Sequence, residues 1–172
     1  MRFTISVVNI IAALAMAQPA VAAPIDYDCD TPAGSYSELA QTQSGPAYRV
    51  RGTITAVQWR DDRRWHPVGQ LILQNEDETR VLAVRLIRAP HAAQATIQAL
   101  IKVGSDERTT GLGVASLNQA VPVELSLSAA GEAVVVAGSE RRTFRFDLAG
   151  PGRVKAVCST GEFRFNGLDL GN

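Results

Sequence analysis

The chain has 172 residues, 17 basic against 17 acidic, with 46% hydrophobic content and two cysteines. These figures exclude a disordered tail and a disulfide-built miniprotein. Balanced charge with dispersed arginines also argues against nucleic acid as a partner, because such a binder needs a clustered basic surface to neutralise phosphates.

Residues 1–22 read as an export signal, with Arg2 as the positive start, an apolar centre over 3–17 and Ala20-Val21-Ala22 as a small-residue cleavage site. The apolar run falls short of the roughly 20 residues that a membrane helix needs, so cleavage is expected, with no span left afterwards. Arg2 is the only charged residue removed, which turns the balanced charge into −1. The expected product is periplasmic or secreted. In that oxidising compartment Cys29 and Cys158 have one intramolecular pairing open to them. Neither lies in a Cys-x-x-Cys motif, so a catalytic dithiol has no signature.

Residues 23–47 read as an N-terminal arm that wraps or caps a domain over residues 48–172. From Tyr48 the dominant period is two, the period of a strand. In Tyr48–Trp59 one parity carries Val50, Ile54 and Ala56 and the other, mixed, carries Arg49, Arg51, Thr53, Thr55, Val57 and Trp59. Short apolar runs follow over 70–74 and 80–87, separated by the turn-forming Asn75-Glu76-Asp77-Glu78. Residues 96–103 fit either a helix stripe or an alternation; the Gly104-Ser105-Asp106-Glu107 turn favours a strand returning over 108–117. Val123, Leu125 and Leu127 then alternate with polar residues, Ala130-Gly131 turns the chain, and Val134 and Val136 run back. Phe144, Phe146 and Leu148 share a face before Gly150-Pro151-Gly152. Two last strands, 154–158 and 162–170, are joined by Ser159-Thr160-Gly161, and a bulge at Asn166-Gly167 would return Leu168 and Leu170 to the face of Phe163 and Phe165. Nine or ten short strands with little helix specify an all-β antiparallel sandwich or barrel.

The strand 48–54, the hairpin 121–138 and the ending Cys158-Ser159-Thr160-Gly161-Glu162-Phe163-Arg164-Phe165-Asn166-Gly167-Leu168 resemble the concanavalin A-like lectin/glucanase jelly roll, laminin G-like sandwiches included. The chain is most similar to small exported bacterial proteins of that fold with no assigned activity. The resemblance implies a β-sandwich, with glycan binding, peptide or steroid binding and polysaccharide cleavage among its uses.

Glucanases of this fold alternate acids as Glu-x-Asp-x-x-Glu, so that two carboxylates flank the glycosidic bond. That pattern is absent, and Glu76-Asp77-Glu78 reads as a solvated turn. The histidine, tyrosine and arginine sets of related lyases are not recognisable, since His66 and His91 lie in separate loops without a nucleophile motif. Asp26, Asp28 and Asp30 are the residues that could suggest calcium, but the EF-hand pattern fails at Thr31 and Ser37. Zinc lacks ligands once the cysteines are bonded. The run Trp59-Arg60-Asp61-Asp62-Arg63-Arg64-Trp65-His66 gathers both tryptophans, a histidine and charges, the residue types that stack on a sugar ring and bond its hydroxyls. Binding candidates are therefore Trp59, Arg60, Asp61, Trp65 and His66, joined by Arg51 and Arg85 on a concave sheet face. The expected function is a non-catalytic binding module for a neutral envelope or extracellular glycan. The alternatives are a divergent polysaccharide hydrolase or lyase and a protein-interaction module of the envelope.

Overall fold

The computed structural model describes residues 23–171, so the export-signal reading lies outside the described residues. Ten strands follow one another: β1 Ile25–Gln43, β2 Tyr48–Trp59, β3 Val68–Asn75, β4 Arg80–Ile87, β5 Ala95–Val103, β6 Asp106–Ala115, β7 Ala120–Leu127, β8 Glu132–Ala137, β9 Glu140–Arg145 and β10 Gly152–Asp169. All pairings are antiparallel, in the order β6-β5-β4-β3-β10-β2-β7-β8-β9, with β1 lying along β10. Among the described residues, no helix is long and apolar enough to cross a membrane.

The sandwich comes from one strand that changes partner. Residues 152–159 of β10 pair with β3, and residues 161–169 pair with β2. The first sheet is thus β6-β5-β4-β3 with the first half of β10, and the second is the other half of β10 with β2-β7-β8-β9. β1 follows β10 round the same bend, its register breaking between Thr31 and Tyr36. Ser159-Thr160-Gly161, expected as a turn between two strands, is instead the corner of a single one. Thr160 is fully buried there at a φ of 53°, an uncommon conformation for a β-branched residue. Its hydroxyl accepts the Gly34 N–H, and the Thr31 hydroxyl donates to the Gly161 carbonyl at 3.1 Å. A Cβ on Gly161 would stand 2.6 Å from the Gln58 carbonyl oxygen, so only glycine allows β2 to pass this closely.

Residues 23–47 do not form an external arm. They contain β1, the longest strand of the sandwich, and its alternation was hidden because its apolar positions are few. Cys29 lies on β1 before the bend and Cys158 on β10 before its own, and their disulfide, with Cα atoms 6.0 Å apart, clamps the inside of the corner.

One core gathers Leu71, Leu73, Leu82, Val84 and Ile97 from the first sheet with Val50, Ile54, Leu125, Phe163 and Phe165 from the second. Full burial of each large side chain stabilises by about 1.5–3 kcal/mol. The bulge expected at Asn166-Gly167 is present: Gly167 has a φ of 60°, the register shifts between Asn166 and Asp169, and Leu168 and Leu170 are buried. On β8 the core positions are Ala133, Val135 and Ala137, because Val135 pairs with core-facing Leu125. Residues 96–103 are strand, not helix.

Candidate functional site

The loop between β2 and β3 is shaped by Asp62. Its carboxylate accepts the N–H groups of Arg64 at 2.8 Å and Trp65 at 3.0 Å, an Asx-type turn. Those backbone bonds hold the Asp62 carboxyl below the usual aspartate range. The turn lifts Trp65 against Tyr36 of β1, with ring centroids 6.3 Å apart and planes 8° from parallel. Both rings stay open to solvent, Tyr36 at 62% exposure and Trp65 at 43%. Beside them lies a cavity of about 340 Å³, which Asp61, His66 and Arg63 share with His91 from the β4–β5 loop.

Buried Arg88, just past β4, braces this loop. It donates to Asp61 at 2.7 Å, and its guanidinium lies 6.0 Å from the centre of the Trp59 ring. Trp59 itself packs edge-on against Phe163 and belongs to the core margin. Arg60 ion-pairs with Asp30 and donates to the Thr31 carbonyl, tying the loop to β1. The two tryptophans, which share one sequence motif, therefore part company: one is structural packing and the other a partly open surface.

Antiparallel partners share a face of their sheet. Tyr36 pairs with Ser159, which pairs with Val68, and the next row runs Glu38, Val157, Gln70, Arg85, Gln98. These residues lie on the side of the first sheet away from the core. Among the described residues all ten strands are used in the two sheets and none covers this face, yet Gln74, Ala83, Val157 and Ser159 are buried on it. The face is mixed: Ile72, Ala83, Leu100 and Val157 lie between Gln70, Gln74, Arg85, Gln98 and Lys155, and these side chains shelter one another. Arg85 donates to Gln98 at 3.1 Å and approaches Glu107 at 4.0 Å. Burial lowers the Arg85 guanidinium from its ordinary pKa, and Glu107 opposes that shift. Lys155, 8% exposed, is held by Glu38 at 3.2 Å and Glu78 at 3.1 Å. Amide and guanidinium groups thus adjoin an open aromatic platform, an arrangement able to combine stacking with directional hydrogen bonds.

Arg51 and Arg85 do not share a face. Arg51 projects from the second sheet and pairs with Asp169 at 3.1 Å, whereas Arg85 projects from the first, on the far side of the core. Parity within each strand was readable, but which strands lie side by side was not. Asp26, Asp28 and Asp30 also diverge in their partners: Asp26 accepts the Gly167 N–H, Asp28 meets Arg164 and Asp30 meets Arg60. Among the described residues, no cluster of three histidine, cysteine or acidic groups forms a metal site. Tyr36, Arg88 and the Lys155 group were missed from the sequence because each owes its place to pairing over a long chain separation.

This is the fold of the concanavalin A-like jelly-roll sandwiches. An alginate lyase from Pseudomonas aeruginosa matches with a TM-score of 0.54 at 16% identity, over 73% of this chain and 64% of that one. The alginate lyase AlyC3 matches with a TM-score of 0.57 at 13% identity, over 83% and 67% of the two chains. An alginate lyase from Klebsiella pneumoniae gives 0.56 at 13% identity, over 71% and 58%. The chain thus spans less than two thirds of the length of the Pseudomonas and Klebsiella enzymes, and at these identities the likeness is one of fold. No protein-family model and no curated protein matches the sequence.

Proposed function

We propose that the protein is an exported carbohydrate-binding module without catalytic activity, and that Tyr36 and Trp65 form its sugar-stacking platform. The carrying observation is that two partly solvent-open rings lie parallel at the edge of a sheet face that carries Gln70, Arg85 and Gln98. Flat apolar ring surfaces take the C–H face of a sugar, while nearby amides and hydroxyls meet its hydroxyls. Gln70 and Gln98 supply amide groups on the adjoining row. A neutral glycan suits this face, because Arg85, Arg153 and Lys155 each already face a carboxylate. The disulfide fits an oxidising compartment and thereby supports export. Titration of the protein with neutral and uronate oligosaccharides tests the reading; loss of affinity in Trp65→Ala supports it, and absence of saccharide affinity removes it.

A second reading, a divergent lyase, is favoured by the activity named for the structural neighbours and by His66 and His91 sharing the cavity next to the platform. Turnover of a uronate polymer that disappears in His66→Ala or His91→Ala selects it over simple binding.

A further inference from the structure

The strand order ends on β6 and β9, and these two edges approach each other across the mouth of the sandwich. Between them opens a cavity of about 530 Å³, far from the Trp65 loop in the strand order. Its size falls within the roughly 300–1,000 Å³ of small-ligand pockets. Ala99 and Ile101 of β5 and Phe144 of β9 supply apolar walls, each from the core-facing side of its strand. The charges at this cavity are Arg108, Arg145 and Asp106.

Arg108 pairs with Ile101 in the sheet and so shares its face, at a place where a core-facing residue would ordinarily be apolar. Its guanidinium has no hydrogen-bond or ion-pair partner among the described residues. Arg145 donates to the Ala130 carbonyl at 3.1 Å and has no carboxylate partner. Two guanidinium groups thus stand against one carboxylate, which pairs with neither, and the charge left over is positive. An apolar wall with an unneutralised guanidinium beside it fits a ligand with an apolar body and an anionic head, since a carboxylate takes two parallel N–H donors from one arginine. A second copy of the chain is a poorer occupant. The β9 edge carries Arg141, Arg142 and Arg145, and charged residues on an edge strand oppose pairing with another strand.

We propose that this cleft binds a small anionic amphiphile, of the fatty-acyl carboxylate kind, with Arg108 holding the head and Ile101 and Phe144 the chain. The site is separate from the Tyr36–Trp65 platform and does not depend on it. The test titrates the full exported chain with dodecanoate, dodecanol and dodecyltrimethylammonium below their aggregation concentrations. The expected result is saturable binding of one dodecanoate, weaker binding of dodecanol and none of the cation. Arg108→Gln should weaken dodecanoate about tenfold while leaving dodecanol unchanged, as expected for loss of a charge-assisted pair. Ile101→Trp, which fills the cavity, should abolish both. If that variant does not fold, Arg108→Gln, altered only at an exposed position, still decides the matter. Equal affinity for all three amphiphiles, unsaturable uptake, undiminished dodecanoate affinity in Arg108→Gln, or a dimer closed through β6 would each overturn the proposal. Unchanged dodecanoate binding in Trp65→Ala is expected and keeps this result distinct from the fate of the carbohydrate reading.

Discussion

Tyr36 and Trp65 stack in parallel, and both rings remain partly open to solvent. Their meeting depends on the bend of β1: Tyr36 is the first residue to regain register with β10 after the corner, and Asp62 presents Trp65 from the other side. A Cβ on Gly34 would already come within 3.2 Å of the Asp62 carboxylate, so corner and loop are in close contact. Trp65→Ala and Tyr36→Ala should each weaken saccharide binding by about 1 kcal/mol or more, roughly fivefold. Calorimetric titration measures the loss, and thermal melting close to that of the parent shows that the fold is intact.

The disulfide closes a separation of 129 residues. On the chain-entropy account such a closure stabilises by at most about 5 kcal/mol. The Cys29→Ser, Cys158→Ser double variant should therefore unfold at markedly lower urea, and a reductant should shift the parent but not the variant. Coincident urea curves for parent and variant would refute a stabilising clamp.

Gly69 pairs with Cys158, and the space above it is filled by a phenyl ring. A Cβ there would lie 2.4 Å from a ring carbon of Phe163, which is fully buried and has nowhere to retreat. Gly69→Ala should cost about 1–3 kcal/mol by overpacking, read as a lower urea midpoint. Gly104→Ala has no atom within 4 Å of its new methyl and costs only backbone strain at a φ of 62°, so it serves as the comparison.

Glu78 gives the outer face of the first sheet an acid dependence. Hydrogen bonds from the Gln74 amide and then the Lys155 ammonium hold its carboxyl below the ordinary glutamate value of roughly 4.3. A folded-state pKa lower than the unfolded one means that the stabilisation is whole above that ordinary value and is lost as pH falls through the folded one. The carboxylate is largely exposed, so solvent screening keeps the effect small. Stability measured between pH 6 and 3 should fall slightly less in Glu78→Gln than in the parent, a window of roughly that range following from the direction of the shift.

The strands with strict alternation were readable because one face of each is buried against the core: Val50, Ile54 and Ala56 on β2, or Val123, Leu125 and Leu127 on β7. The bulge at Gly167 was also legible, since a glycine lay where the apolar parity changed. β1 was not. Its Asp26, Asp28 and Asp30 alternate outward, as a strand requires, but the pattern becomes meaningful only once β10 lies beside it. The candidate site divides the same way: Trp65 and Asp61 were local to one motif, whereas Tyr36 and Arg88 reach the loop through sheet pairing and burial. Two residues in one motif, Trp59 and Trp65, were indistinguishable in sequence because exposure depends on the core that forms beneath only one of them.

The proposed role is binding without cleavage at the Tyr36–Trp65 platform. Its most direct measurement mixes the protein with an oligosaccharide panel and follows, in the same samples, heat of binding and appearance of a new carbon–carbon double bond or reducing end. Saturable heat with no new double bond or reducing end, the heat falling roughly fivefold in affinity for Trp65→Ala, is the predicted result. Steady product formation by the parent, or saccharide affinity unchanged in Trp65→Ala, would contradict it.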